Sequence, residues 1–146
     1  MKHTLALITA LLLPLACFAR LGETKDQLSA RYGKTFKEDG NKLYYKLDDL
    51  NILFILYQDK ASLMMVSRGS KGKLSDKEIQ TFLAENAAGS GFKIDNSEPD
   101  DPEMKYFIEP ETKRVGVYGF SEGNLMIATQ KGAKEHLKHL PKDSKE

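Results

Sequence analysis

Asn51-Ile52-Leu53-Phe54-Ile55-Leu56-Tyr57-Gln58, then Asp59-Lys60, then Ala61-Ser62-Leu63-Met64-Met65-Val66-Ser67 is the stretch on which the fold turns. Its first eight residues are apolar on both faces of an extended chain, the pattern of a central or doubly covered strand. Asp59-Lys60 reads as a hairpin turn into the second run, so the two strands pair antiparallel. Just upstream, residues 42–47 (KLYYKL) alternate, with Leu43, Tyr45 and Leu47 on one face.

Helix starts flank this hairpin. Thr24-Lys25-Asp26-Gln27 has the form of a capping box, in which Thr24 caps a backbone amide and Gln27 reaches back. Leu28 and Tyr32 follow at i,i+4, and Gly33 supplies a left-handed stop. Ser75-Asp76-Lys77-Glu78 repeats the device, with Leu74 and Ile79 at the hydrophobic-staple positions. Ile79, Phe82, Leu83 and Ala87 make a stripe at helical spacing, and Gly89 marks the exit. Three more strands are expected at 104–109, 113–120 and 124–129, turned by Pro110-Glu111-Thr112 and Ser121-Glu122-Gly123. Residues 131–140 suit a short C-terminal helix and 141–146 a charged tail.

The expected fold class is therefore α+β, with two capped helices packed on an antiparallel sheet in the order helix, three strands, helix, three strands. The matching starts at Thr24 and Ser75 admit a duplicated αβββ unit, although residue identity between the halves is low.

The first nineteen residues read as an address. Lys2 and His3 precede an uncharged run from Thr4 to Phe18. As a helix that run would rise only about 22 Å, short of a hydrocarbon core of roughly 30 Å. A basic start, a short apolar run, Pro14 and small residues ahead of a cut describe a secretory signal. Cleavage is expected between Ala19 and Arg20, leaving a single domain over 20–130 and no transmembrane span. Two alternatives stand beside it, a lipidated N-terminus at Cys17 and an uncleaved anchor. Pro14 occupies the position where a lipoprotein signal usually carries Leu, Val or Ile.

Composition narrows the function classes. The 146 residues are 40% hydrophobic and 29% charged, with a mean hydropathy of −0.46, which is globular rather than disordered. The 22 Lys+Arg nearly balance the 21 Asp+Glu, and the leader removes Lys2. A near-neutral mature chain lacks the electrostatic footprint of a nucleic-acid binder, so no nucleic-acid partner is expected. Cys17 is the one cysteine, so cleavage at Ala19 would leave no disulfide, thiolate metal site or cysteine nucleophile.

Arg20-Leu21-Gly22-Glu23-Thr24, Arg31-Tyr32-Gly33-Lys34 and residues 74–90 (LSDKEIQTFLAENAAGS) together resemble a family of uncharacterised small secreted bacterial proteins. The match spans most of residues 20–130. Its motifs are helix caps and core positions, so the resemblance implies fold rather than chemistry. A looser architectural likeness is to SmpA/OmlA-type envelope proteins and to the β-lactamase-inhibitor protein, where a helical pair leads into an antiparallel sheet. Gly22-Glu23-Thr24 only approximates the Gly-Thr-x-x-x-Val phrase of that group, and no inhibitor contact residue carries over.

Each candidate site has a plainer role beside it. His136 and His139 stand at i,i+3 beside Glu135 and would share a metal only with a third ligand; Lys134 and Lys138 crowd them. No strand–turn–Ser signature accompanies these histidines as a catalytic triad would require. The acidic stretch 95–103 lacks the spacing and the Gly of a calcium loop. Arg68-Gly69-Ser70-Lys71-Gly72-Lys73 lacks the order of a phosphate-binding loop, and residues 86–91 read as a helix exit. Neither metal nor cofactor is expected. Aromatic residues Tyr44, Tyr118 and Phe120 are the candidate interaction face, since aromatic side chains concentrate at interfaces; the alternative is that the C-terminal helix or the other sheet covers them as core. The expected function is that of an exported, non-catalytic binding module of the cell envelope. The alternatives are a small metal-dependent or hydrolytic enzyme working through His136, His139 or the 95–103 loop, and a structural subunit pairing through a strand edge.

Overall fold

The computed structural model describes residues 21–97 and 101–137. Among these, α1 (Lys25–Tyr32) is followed by β1 (Lys37–Asp39), β2 (Lys42–Leu47), β3 (Leu50–Tyr57) and β4 (Lys60–Ser67). After a single 3-10 turn at Gly69–Lys71 come α2 (Asp76–Asn86), β5 (Lys93–Ile94), β6 (Met104–Glu109), β7 (Arg114–Gly119), β8 (Asn124–Ala128) and α3 (Gln130–Leu137). The eight strands form one antiparallel sheet in the order β1-β2-β3-β4-β8-β7-β6-β5. The α+β class and the antiparallel pairing match the expectation from sequence.

The strand count differs. Each half carries four strands after its helix rather than three, because β1 and β5 were not anticipated. Both are edge strands of three and two residues, exposed along their length. Without a buried face they show no alternation, and only pairing with β2 and β6 makes them strands. The order is mirror-like, with β4 and β8 meeting in the middle and each half running outward to its short edge.

Both capping boxes form. The Thr24 and Ser75 hydroxyls accept the Gln27 and Glu78 amides, and those two side chains accept the Thr24 and Ser75 amides in return. Gly33, at φ 82°, closes α1 as expected. Gly89 does not close α2. The helix ends at Asn86 with Ala87 as its cap, and the Gly89 amide donates to Glu109 instead. The β3–β4 turn is Gln58-Asp59, one residue earlier than anticipated; both sit at positive φ, which suits the right-handed twist of a tight hairpin.

Helices α1 and α2 cover one face of the sheet. Ile52, Phe54, Met64, Val66, Leu125 and Ile127 stand beneath them, fully buried. Tyr32 of α1 stacks on Tyr45 and Phe54 with ring centroids 5.4 and 5.6 Å away. Leu83 of α2 reaches down to β7 because Gly116 offers no side chain; a Cβ there would stand 2.9 Å from the Leu83 methyl. Asn86 is buried between the two halves. It accepts the Leu21 amide and donates to the Phe82 carbonyl, with Met64 Sδ 3.6 Å away. The two halves thus share one core on this face.

Candidate functional site

Strand pairing places every residue of the opposite face. Reading straight across the sheet, Lys37, Tyr44, Leu53, Met65, Met126, Val117 and Tyr106 occupy one row. The next row runs Asp39, Lys42, Ile55, Leu63, Ala128, Val115, Ile108 and Lys93. Each row is apolar in its middle and ends on lysine on at least one side. Tyr44, Leu53, Ile55, Met65, Met126 and Val117 are half-buried, whereas their strand neighbours on the helix face are buried completely.

Among the described residues, the element covering part of this face is α3. Its Gly132 lies directly against β4, where a Cβ would fall 2.2 Å from the Ser62 carbonyl oxygen. The Thr129 amide donates to that same oxygen at 2.9 Å and pins the start of the helix. Between α3 and the sheet runs a trough of about 530 Å³, floored by Leu53, Ile55, Leu63 and Met65, with Tyr57 and Lys42 on the sheet side and Glu135 and His136 on the helix side. A shallower hollow of about 170 Å³, bordered by Phe36 and Tyr44, continues from it across Leu53 and Met65. Phe36 is 61% exposed and packs on Tyr44, with Lys37 Nζ 5.2 Å from the Tyr44 ring centre. Lys131 stands 4.0 Å over the Tyr57 ring at the other end.

The three aromatic residues singled out from sequence are not brought together. Tyr44 lies on the open face. Tyr118 lies on the helix face, 4% exposed, its hydroxyl 3.4 Å from the Leu74 carbonyl. Phe120 follows it at the end of β7, edge-on to Tyr118 at 5.3 Å and 41% exposed. The reason is register: Tyr44 aligns through β3, β4 and β8 with Val117, so the adjacent Tyr118 must point the other way. The residues that do join Tyr44 are Leu53, Met65, Met126, Val117 and Tyr106. For Leu53 the signal in the sequence was the apolar second face of 51–58.

The other candidates have structural partners. Arg68 donates to both carboxylate oxygens of Glu78 (2.9 and 2.6 Å), to Asp49 (2.7 Å) and to the Lys73 carbonyl, tying the start of α2 to the β2–β3 turn. That guanidinium and the Ser75 amide hold the Glu78 carboxyl down to about 2. The basic connector is therefore a brace at Arg68 rather than an anion site. Asp95 and Asp101 accept the Ser97 and Glu103 amides in local turns; residues 98–100 lie outside the described part. Among the described residues, no three His, Cys, Asp or Glu side chains gather to hold a metal. His136 is on the trough wall, and His139 lies outside the described residues.

Glu109 escaped the sequence reading. It is completely buried, yet accepts the amides of Ala88, Gly89 and Gly91 and the Thr112 hydroxyl. Burial opposes its charge, but the Thr112 hydroxyl and the backbone amides prevail and lower its pKa. Every acceptor is taken by the chain itself, so this carboxylate fastens the loop after α2 to the β6–β7 hairpin.

No family model, curated protein or solved structure matches this chain. No helix among the described residues is long and apolar enough to cross a membrane.

Proposed function

We propose that this chain is an exported, non-catalytic binding module of the cell envelope, taking its ligand on the open face of the sheet. One observation carries the reading: the apolar row from Tyr44 to Tyr106, drawn from six adjacent strands, stands half-exposed where its helix-face counterparts are buried. A contiguous apolar surface rimmed by polar residues marks an interaction site. The binding mechanism is burial of this surface within a charged rim, with Tyr44 retained from the aromatic set. Export rests on residues 1–19, with cleavage between Ala19 and Arg20. Each half of the fold leads a helix into antiparallel strands. This favours a duplicated unit, now of one helix and four strands.

Thiol labelling in cells tests this. With Cys17→Ser removing the native thiol, Leu53→Cys and Val117→Cys report on the open face, and Lys77→Cys reports on the outer side of α2. A membrane-impermeant maleimide should modify positions 53 and 117 severalfold more slowly in intact cells than in purified protein, with position 77 unchanged. Equal rates in both settings would leave the open face without an occupant and overturn the proposal.

A further inference from the structure

We propose that the trough between α3 and the sheet binds a long-chain carboxylate, its acyl chain over Leu53, Ile55, Leu63 and Met65 and its head at Lys42. This deepens the open-face reading and rests on it. Three observations select the ligand. The first is size: about 530 Å³ falls within the range of small-molecule sites, which are mostly apolar with a few placed polar groups.

The second is hydrogen bonding. Strands β3 and β4 are internal, and their backbone groups are committed to the ladders on either side. An extended peptide in the trough would bury its own amides against a floor with nothing to offer them, at a cost of a few kcal/mol each. An acyl chain carries no such groups. Leu53, Ile55 and Leu63 supply aliphatic contact, and Met65 adds an adaptable thioether.

The third is charge. Lys42 lines the trough, and Lys37 and Lys46 share its face of β1 and β2. None of the three makes an ion pair among the described residues, although Asp39 is the cross-strand neighbour of Lys42.

The test is calorimetric titration of the purified full-length chain with octanoate, decanoate and dodecanoate, each below its micelle concentration. Saturable one-to-one binding should tighten about fourfold per added methylene. Lys42→Glu should weaken dodecanoate about tenfold and leave uncharged dodecanol unchanged, whereas Lys77→Glu should leave both unchanged. Leu53→Glu should weaken both ligands, with circular dichroism confirming its fold. No saturation, no dependence on chain length, or equal dodecanoate binding by Lys42→Glu would overturn the inference. Saturation by an acidic apolar peptide without any response to dodecanoate would overturn it in favour of a protein partner. In that case the cellular protection of Leu53→Cys would persist and the open-face reading would stand.

Discussion

Met64 and Met65 are neighbours in β4 and meet opposite worlds. Met64 is 0% exposed beneath α2, its sulfur 3.6 Å from the Asn86 amide; Met65 is half-exposed and floors the trough beside α3. The side chains are identical and the strand is the same, so the difference comes from what lies above each face. Two capped helices fill the space over one face, and among the described residues α3 lies over part of the other. An apolar strand residue is therefore core or surface according to the helices its sheet recruits, not according to its own hydrophobicity.

The largest expected contrast is in stability. Phe54→Ala, on the helix face, should cost about 3–5 kcal/mol in urea unfolding, and Leu53→Ala on the open face less than about 1 kcal/mol. Similar losses at both positions would mean that the open face is packed after all. The Glu109 carboxylate offers a second test, because it anchors only the helix-face layer. Glu109→Ala leaves the Ala88, Gly89 and Gly91 amides without their acceptor and should cost about 2–3 kcal/mol. Its pKa is lowered in the fold, so the stabilisation is present above the ordinary carboxylate value near 4.3 and is lost as pH falls below it. The variant should accordingly show a shallower acid limb in its stability profile.

Gly116→Ala comes next. A methyl there meets Leu83 at 2.9 Å and Phe107 at 3.3 Å, and should cost about 1–3 kcal/mol by lifting α2. Ligand binding at the trough should be untouched, since Gly116 faces the other way. The smallest effect belongs to Glu85 at the junction of α2 with α1. Burial raises its pKa to about 7, only partly opposed by Arg31. Stability is therefore lost as pH rises from the unfolded value through about 7, where the fold must accept the charge. Glu85→Gln should raise the melting temperature modestly at pH 8 and leave it unchanged at pH 4.

Much of this division was legible from local signals. The capping boxes at Thr24 and Ser75, the staple of Leu74 and Ile79, and the doubly apolar run 51–58 each declare their element within a few residues. What could not be read was long-range. The meeting of β4 with β8 decides that Tyr44 aligns with Val117 and not Tyr118, and no local pattern encodes a pairing across more than fifty residues of chain. Strands β1 and β5 were invisible because Lys37-Glu38-Asp39 and Lys93-Ile94 bury nothing. Glu109 looked like an ordinary polar strand end, because the amides that hold it lie on a loop some twenty residues earlier.

The chain carries its own reporters in five methionines, two of which, Met64 and Met65, stand back to back. With methyl-labelled methionine, one NMR titration reads both faces in the unaltered protein, first against a soluble nitroxide and then against dodecanoate. We expect the Met65 methyl to broaden with the nitroxide and shift with dodecanoate, and the Met126 methyl, outside the trough, to broaden with the nitroxide, while Met64 does neither. If Met64 and Met65 respond alike, or if Met65 ignores both agents, the sheet has no open binding face.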